Sequence, residues 1–131
     1  MDKFSPCPCD SGKVYSKCCR AFHFGEPAPD AQLLMRSRYS AYALKLVDYI
    51  IATTDRQGPL YMADREQWRA SIAAFCEHTR FTGLKIHDFV EGEPAYVTFT
   101  AYLMQGDQDA SFTEKSSFHK RDGQWLYTKS N

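Results

Sequence analysis

Four of the chain's five cysteines fall within thirteen residues, Cys7-Pro8-Cys9-Asp10-Ser11-Gly12-Lys13-Val14-Tyr15-Ser16-Lys17-Cys18-Cys19. Four sulfurs are therefore held within reach of one another before any other part of the fold is decided. A Cys-x-Cys pair and a vicinal Cys-Cys pair, separated by eight residues, can supply a tetrahedral set of thiolates. Such donors select zinc over calcium or magnesium, with other soft metals or clusters as the alternatives. The intervening loop can fold back on itself: Pro8 fixes φ, Asp10 tolerates the left-handed region, and Gly12 enters it freely. Lys13, Lys17 and Arg20 can offset the charge of four thiolates. Disulfides fit poorly, because a Cys-x-Cys ring is strained and vicinal cysteines link only through a distorted peptide. The expected ligands are thus Cys7, Cys9, Cys18 and Cys19, and the expected cofactor is zinc. His23 could substitute as a ligand, but with four cysteines present it is expected to be a surface histidine beside the knuckle.

Sixteen basic and sixteen acidic residues cancel, which disfavours a protein built to coat nucleic acid or an anionic membrane. Residues 1–24 are locally basic, though only slightly. Phe22 and Phe24 could stack bases there, but are expected to pack the knuckle onto its neighbour. The start Met1-Asp2-Lys3-Phe4-Ser5-Pro6 has no apolar signal region, and no apolar run approaches the roughly 20 residues of a membrane helix. Clustered cysteines without an export signal predict the cytoplasm. Cys76 falls on an apolar helical stripe and reads as a small core residue.

Gly25-Glu26-Pro27-Ala28-Pro29 is a stiff spacer, dividing a knuckle at 1–24 from a main domain at 29–131. After an N-cap at Asp30, the spacing of Met35, Tyr39, Tyr42, Leu46, Tyr49 and Thr53 predicts one helix of about six turns. Gln57-Gly58-Pro59 breaks it. Asp64 and Gln67 then cap a second helix carrying Trp68, Ile72, Phe75 and Thr79. Beyond Gly83 the period changes to two. Leu84, Ile86 and Val90 predict a first strand, the alternation Ala95-Val97-Phe99-Ala101-Leu103 a second, and Phe112-Glu114-Ser116-Phe118 the inner face of a third. Asp122-Gly123 is a hairpin turn leading to a last strand. The fold class is α+β, with helices packed on a curved antiparallel sheet that forms a cone with a cavity at its open end.

The cysteine stretch resembles the SEC-C motif, the small zinc module named for the C-terminus of the SecA translocation ATPase. Leu34-Met35-Arg36-Ser37-Arg38-Tyr39-Ser40-Ala41-Tyr42, and the ending Glu114-Lys115-Ser116-Ser117-Phe118 with Gly123-Gln124-Trp125-Leu126-Tyr127, are similar to the YchJ-like family of bacterial proteins. The resemblance implies a zinc knuckle joined to a nuclear transport factor 2-like cone. It also implies protein partners of the secretion or translation machinery. Asp10 stands where the motif usually has glycine. Many relatives carry a second cysteine knuckle at the C-terminus, which is not expected in a chain ending Tyr127-Thr128-Lys129-Ser130-Asn131.

Within the cone, Glu114 shares a face with Phe112 and Phe118, so an inward carboxylate is expected to pair with Arg36 or Arg38. The same residues, with Tyr39, Tyr42 and Ser116, could instead floor a ligand cavity. His78, His87 and His119 fall on outward or helix-end positions, and no nucleophile motif or phosphate-binding glycine loop is present. The function expected is that of a non-enzymatic zinc adaptor with a protein partner. The alternative is a small-molecule-binding or catalytic cone with zinc as a staple.

Overall fold

The computed structural model describes residues 4–131; the part of the predicted knuckle and basic stretch at Met1, Asp2 and Lys3 lies outside the described residues. The knuckle begins as a minimal hairpin. The Cys7 N–H donates to the Lys13 carbonyl at 2.9 Å and the Tyr15 N–H to that of Ser5 at 2.8 Å. The reversal between them uses left-handed backbone at Asp10 (φ 64°) and Gly12 (φ 88°). A 3-10 turn at Tyr15–Lys17 and a single-turn helix α1 (Arg20–His23) then bring Cys18 and Cys19 back beside the hairpin.

The Asp30 side chain caps α2 (Ala31–Ala43) by accepting from the Leu33 N–H at 2.8 Å. The expected six-turn helix is in fact two. The chain leaves the helix at Leu44, Lys45 takes a left-handed φ of 62°, and α3 (Val47–Ala52) starts in a new direction. The packing explains the turn. Leu44 lies against the cysteine knuckle. Ile50 and Ile51 join Ala41 and the Trp68, Ile72 and Cys76 stripe of α4 (Arg65–Glu77) in a second core. Asp64 caps α4 as its sequence predicts, through the Gln67 N–H at 3.0 Å, and Cys76 is a buried core residue.

The sheet is an antiparallel meander in the order β1 (Arg80–Val90), β2 (Ala95–Gln105), β4 (Phe112–Arg121), β5 (Gln124–Ser130), with the two-residue β3 (Gln108–Asp109) paired to the end of β2. Ala95, Val97, Phe99, Ala101 and Leu103 all face α2 in the main core. Two register shifts interrupt β1, between Phe81 and Gly83 and between Ile86 and Asp88. The second turns Phe89 toward the core and leaves Val90 exposed, so the expected Leu84, Ile86, Val90 face does not persist. Phe118 is fully buried, whereas Phe112, expected beside it in the core, is 43% exposed at the sheet's open end. Asp122 (φ 52°) and Gly123 (φ 79°) form the predicted hairpin turn. Gly58 is required where the loop after α3 crosses β5, because a Cβ there would lie 2.6 Å from the Thr128 carbonyl.

Candidate metal centre and cone cavity

The hairpin and α1 place the Sγ atoms of Cys7, Cys9, Cys18 and Cys19 within 4.8 Å of one another, with Cys7, Cys9 and Cys19 buried. Cys9 and Cys18 are 3.6 Å apart, and Cys18 and Cys19 are 3.9 Å apart. Tetrahedral thiolates at zinc–sulfur distance stand about 3.8 Å apart, so the donor set has the size of a metal tetrahedron. For the bare thiols, hydrogen bonds from Cys19 and Cys7 hold Cys9 far below the ordinary thiol range. Cys7 is lowered by its bond with Cys19, but the bond with Cys9 and burial outweigh this and push it up to about 11. Hydrogen bonds to Cys7 and Cys9 raise Cys19. A soft dication is the partner that would let all four ionise together.

The knuckle is tied into the main domain by contacts that sequence reasoning did not find. His23 is not a surface residue. Its Nε2 lies 2.8 Å from the Ser37 carbonyl, which can only accept, so that nitrogen carries the proton and Nδ1 accepts from the Tyr15 hydroxyl at 2.7 Å. Burial lowers its pKa, and the ring stands edge-on to Tyr49. Arg36, expected at Glu114, instead donates to the Cys9 carbonyl at 2.9 Å. The Asp10 carboxylate reaches the Leu84 N–H at 3.4 Å. Phe22 packs on the main core as expected, but Phe24 is 74% exposed, with the Arg20 guanidinium 4.7 Å from its ring centroid.

The open end of the cone holds a cavity of about 180 Å³ lined by Arg38, Tyr39, Tyr42 and Glu114, together with apolar walls such as Phe99 and Leu103. Arg36 and Ser116 are not on its surface. Glu114 faces the cavity as the register predicts, but its partners are hydroxyls rather than arginines. Its Oε2 accepts from Ser116 and, at 3.0 Å, from Tyr127; no ion pair forms with Arg36 or Arg38 among the described residues. The buried Arg38 instead donates to the Ile50 carbonyl and to Thr53 and Thr54 at 2.9, 2.7 and 3.2 Å. Its guanidinium also lies 4.7 Å from the Tyr127 ring centroid. Tyr39 bridges strands, accepting from the Gly83 N–H and donating to the Tyr102 carbonyl. Tyr42 stacks among Phe75 and Phe81.

None of the three histidines lines this cavity. His78 ends α4, His87 bonds Thr100 on the outer sheet face, and His119 bonds Thr128 at 2.8 Å. His119 is also 4.0 Å from Asp55, a fully buried carboxylate that the sequence did not signal. Asp55 receives the Arg121 fork at 2.8 and 2.9 Å, Thr128 at 2.9 Å and the Gln57 N–H at 3.0 Å. Burial alone would raise its pKa, but these donors outweigh it and hold the carboxyl at about 2.

The profile of YchJ, middle NTF2-like domain, matches residues 30–130, and that of the SEC-C motif matches residues 5–21. The chain belongs to the YchJ-like family. The solution structure of a SEC-C motif-containing protein from Rhodopseudomonas palustris is 33% identical, with 92% of this chain and 93% of that one aligned and a TM-score of 0.76. The crystal structure of a SEC-C motif-containing protein from Psychrobacter arcticus is 25% identical over 97% of this chain and 82% of that one, with a TM-score of 0.78. A protein named as an Rd1NTF2 variant aligns over 77% of this YchJ-like chain and 94% of its own at 15% identity, with a TM-score of 0.55, a likeness of fold alone. The SEC-C match and the sulfur cluster together make the knuckle a metal-binding candidate. Among the described residues, no helix is long and apolar enough to cross a membrane.

Proposed function

We propose that this protein is a zinc-binding, non-enzymatic adaptor of a reducing cytoplasm. Its knuckle would be a structural metal site whose outer surface meets a protein partner. The observation that carries the reading is the sulfur cluster: four thiolates close a tetrahedral zinc and leave no position for water or substrate. Zinc so held would do no chemistry of its own; it would fix the hairpin and α1 relative to each other. What that frame presents outward is basic and aromatic: exposed Phe4 and Phe24, with Arg20 over the Phe24 ring and Lys13 and Lys17 exposed nearby. Such a surface suits a protein segment combining acidic and apolar residues. The SEC-C resemblance points to partners linked to secretion or the ribosome, while a neutral whole-chain charge keeps nucleic acid the weaker partner.

The test is capture from an extract by three baits: wild type, Cys18→Ser/Cys19→Ser, and Arg20→Ala/Phe24→Ala. Proteins retained by wild type and lost by both variants, with zinc still present in the second, are expected. An unchanged capture profile for Arg20→Ala/Phe24→Ala would remove the knuckle surface from the function.

A further inference from the structure

We infer that the cone cavity binds a small aromatic or similarly apolar molecule bearing one hydrogen-bond donor, which it delivers to Glu114. The site lies apart from the sulfur cluster and does not depend on the metal reading. At about 180 Å³ the cavity is a little larger than an apolar cavity of about 150 Å³ that takes up benzene. Its walls are ring-rich, including Phe81, Phe99 and Phe112. Phe75 and Phe112, 37% and 43% exposed, both line it. Two large apolar rings left partly open in the lining of one cavity mark an apolar entrance.

The polar chemistry of the cavity centres on Glu114. Glu114 uses Oε2 for both of its hydroxyl partners, while its Oε1 accepts nothing from the described residues. The nearby cation does not fill that role. Arg38 Nη1 is committed to three oxygens at the end of α3, and the guanidinium lies over the Tyr127 ring. Tyr39's hydroxyl is committed to Gly83 and Tyr102. Glu114 Oε1 is thus an unfilled carboxylate acceptor in the cavity lining, close to the Tyr42 side chain, and such an acceptor prefers an N–H or O–H donor. Phenol and benzylamine share the required shape and donor, differing in charge. Benzoate has the shape with an anion in place of the donor, and toluene has the shape alone.

Titrating the intact protein with these four probes, read by amide chemical shifts, tests the inference. Phenol or benzylamine should saturate at millimolar concentration or below, with shifts centred on Phe99, Ala101 and Glu114, and should bind at least about tenfold more tightly than benzoate and toluene. Glu114→Gln, which keeps the shape and an acceptor for Ser116 and Tyr127, should weaken benzylamine by about tenfold while leaving toluene unchanged. Benzoate binding as tightly as both donors would overturn the inference, as would shifts scattered over the surface, no saturable binding by any probe, or an unaltered benzylamine affinity in Glu114→Gln.

Discussion

At the scale of single residues, the chain's buried charges are satisfied in ways that sequence neighbours do not announce. The inward register of Glu114 is legible, because Thr113, Glu114 and Lys115 alternate on a strand whose Phe118 must be buried. Its partner is not legible. Arg38 shares the inner face of α2, but the turn after Ala43 brings the end of α3 within its reach, and carbonyl and hydroxyl oxygens take the guanidinium. Asp55 is harder still, since Arg121 and Thr128 lie 66 and 73 positions away and nothing in the stretch around Asp55 points to them. Its role has a measurable consequence. A carboxyl whose folded-state pKa lies below its unfolded value adds stability above that unfolded value and loses it as pH falls through the folded one. The Asp55 contribution should therefore be complete above pH 3.8 and decay toward pH 2. Asp55→Ala should destabilise the domain by about 1–3 kcal/mol near neutrality through the donors it strands, and should remove that part of the acid-induced loss. Urea midpoints for both proteins across this pH range check it, and parallel curves would place the acid sensitivity elsewhere.

Among the elements, the two long helices and the central strand were readable because local chemistry and burial agree. Asp30 and Asp64 cap where their positions predict, and β2 alternates without interruption. The helix break at Leu44–Leu46 carries neither glycine nor proline, so the apolar spacing runs straight through it; only the competing claims of the knuckle and of the α4 core on Leu44, Ile50 and Ile51 show why the chain turns. Lys45 holds its left-handed φ of 62° against the preference of a residue with a Cβ. Lys45→Gly should therefore raise stability by about 0.5–1 kcal/mol, seen as a higher melting temperature. Lys45→Ala, which keeps the Cβ, should stay within about 0.5 kcal/mol of wild type. Equal effects of the two would mean that the side chain, not the backbone, decides this position. The bulges of β1 escaped the sequence for a related reason: a strand period does not reveal where an extra residue is inserted.

For the whole molecule, the knuckle and the cone are joined by specific polar contacts rather than by the spacer alone. His23 links Tyr15 to the Ser37 carbonyl, Arg36 holds the Cys9 carbonyl, and Asp10 reaches β1. The sulfur cluster was legible because four cysteines in so short a stretch leave few other arrangements, whereas the clamp was not, since its contacts to the main domain join residues 14, 27 and 74 positions apart. A region this small has little apolar core of its own, so metal binding should supply most of its folding energy. Removing the metal should loosen the hairpin and α1 first, with the cone's amide signals retained and those of Ser37 and Leu84 shifted at the seam.

Cys7, Cys9, Cys18 and Cys19 are proposed to close one structural zinc. Native mass spectrometry of protein purified without added chelator tests it most directly. One zinc per chain is predicted in the wild type, with none in Cys7→Ser/Cys9→Ser or Cys18→Ser/Cys19→Ser and one retained in Cys76→Ser. A metal-free wild type, or zinc that survives both double substitutions, would rule this site out.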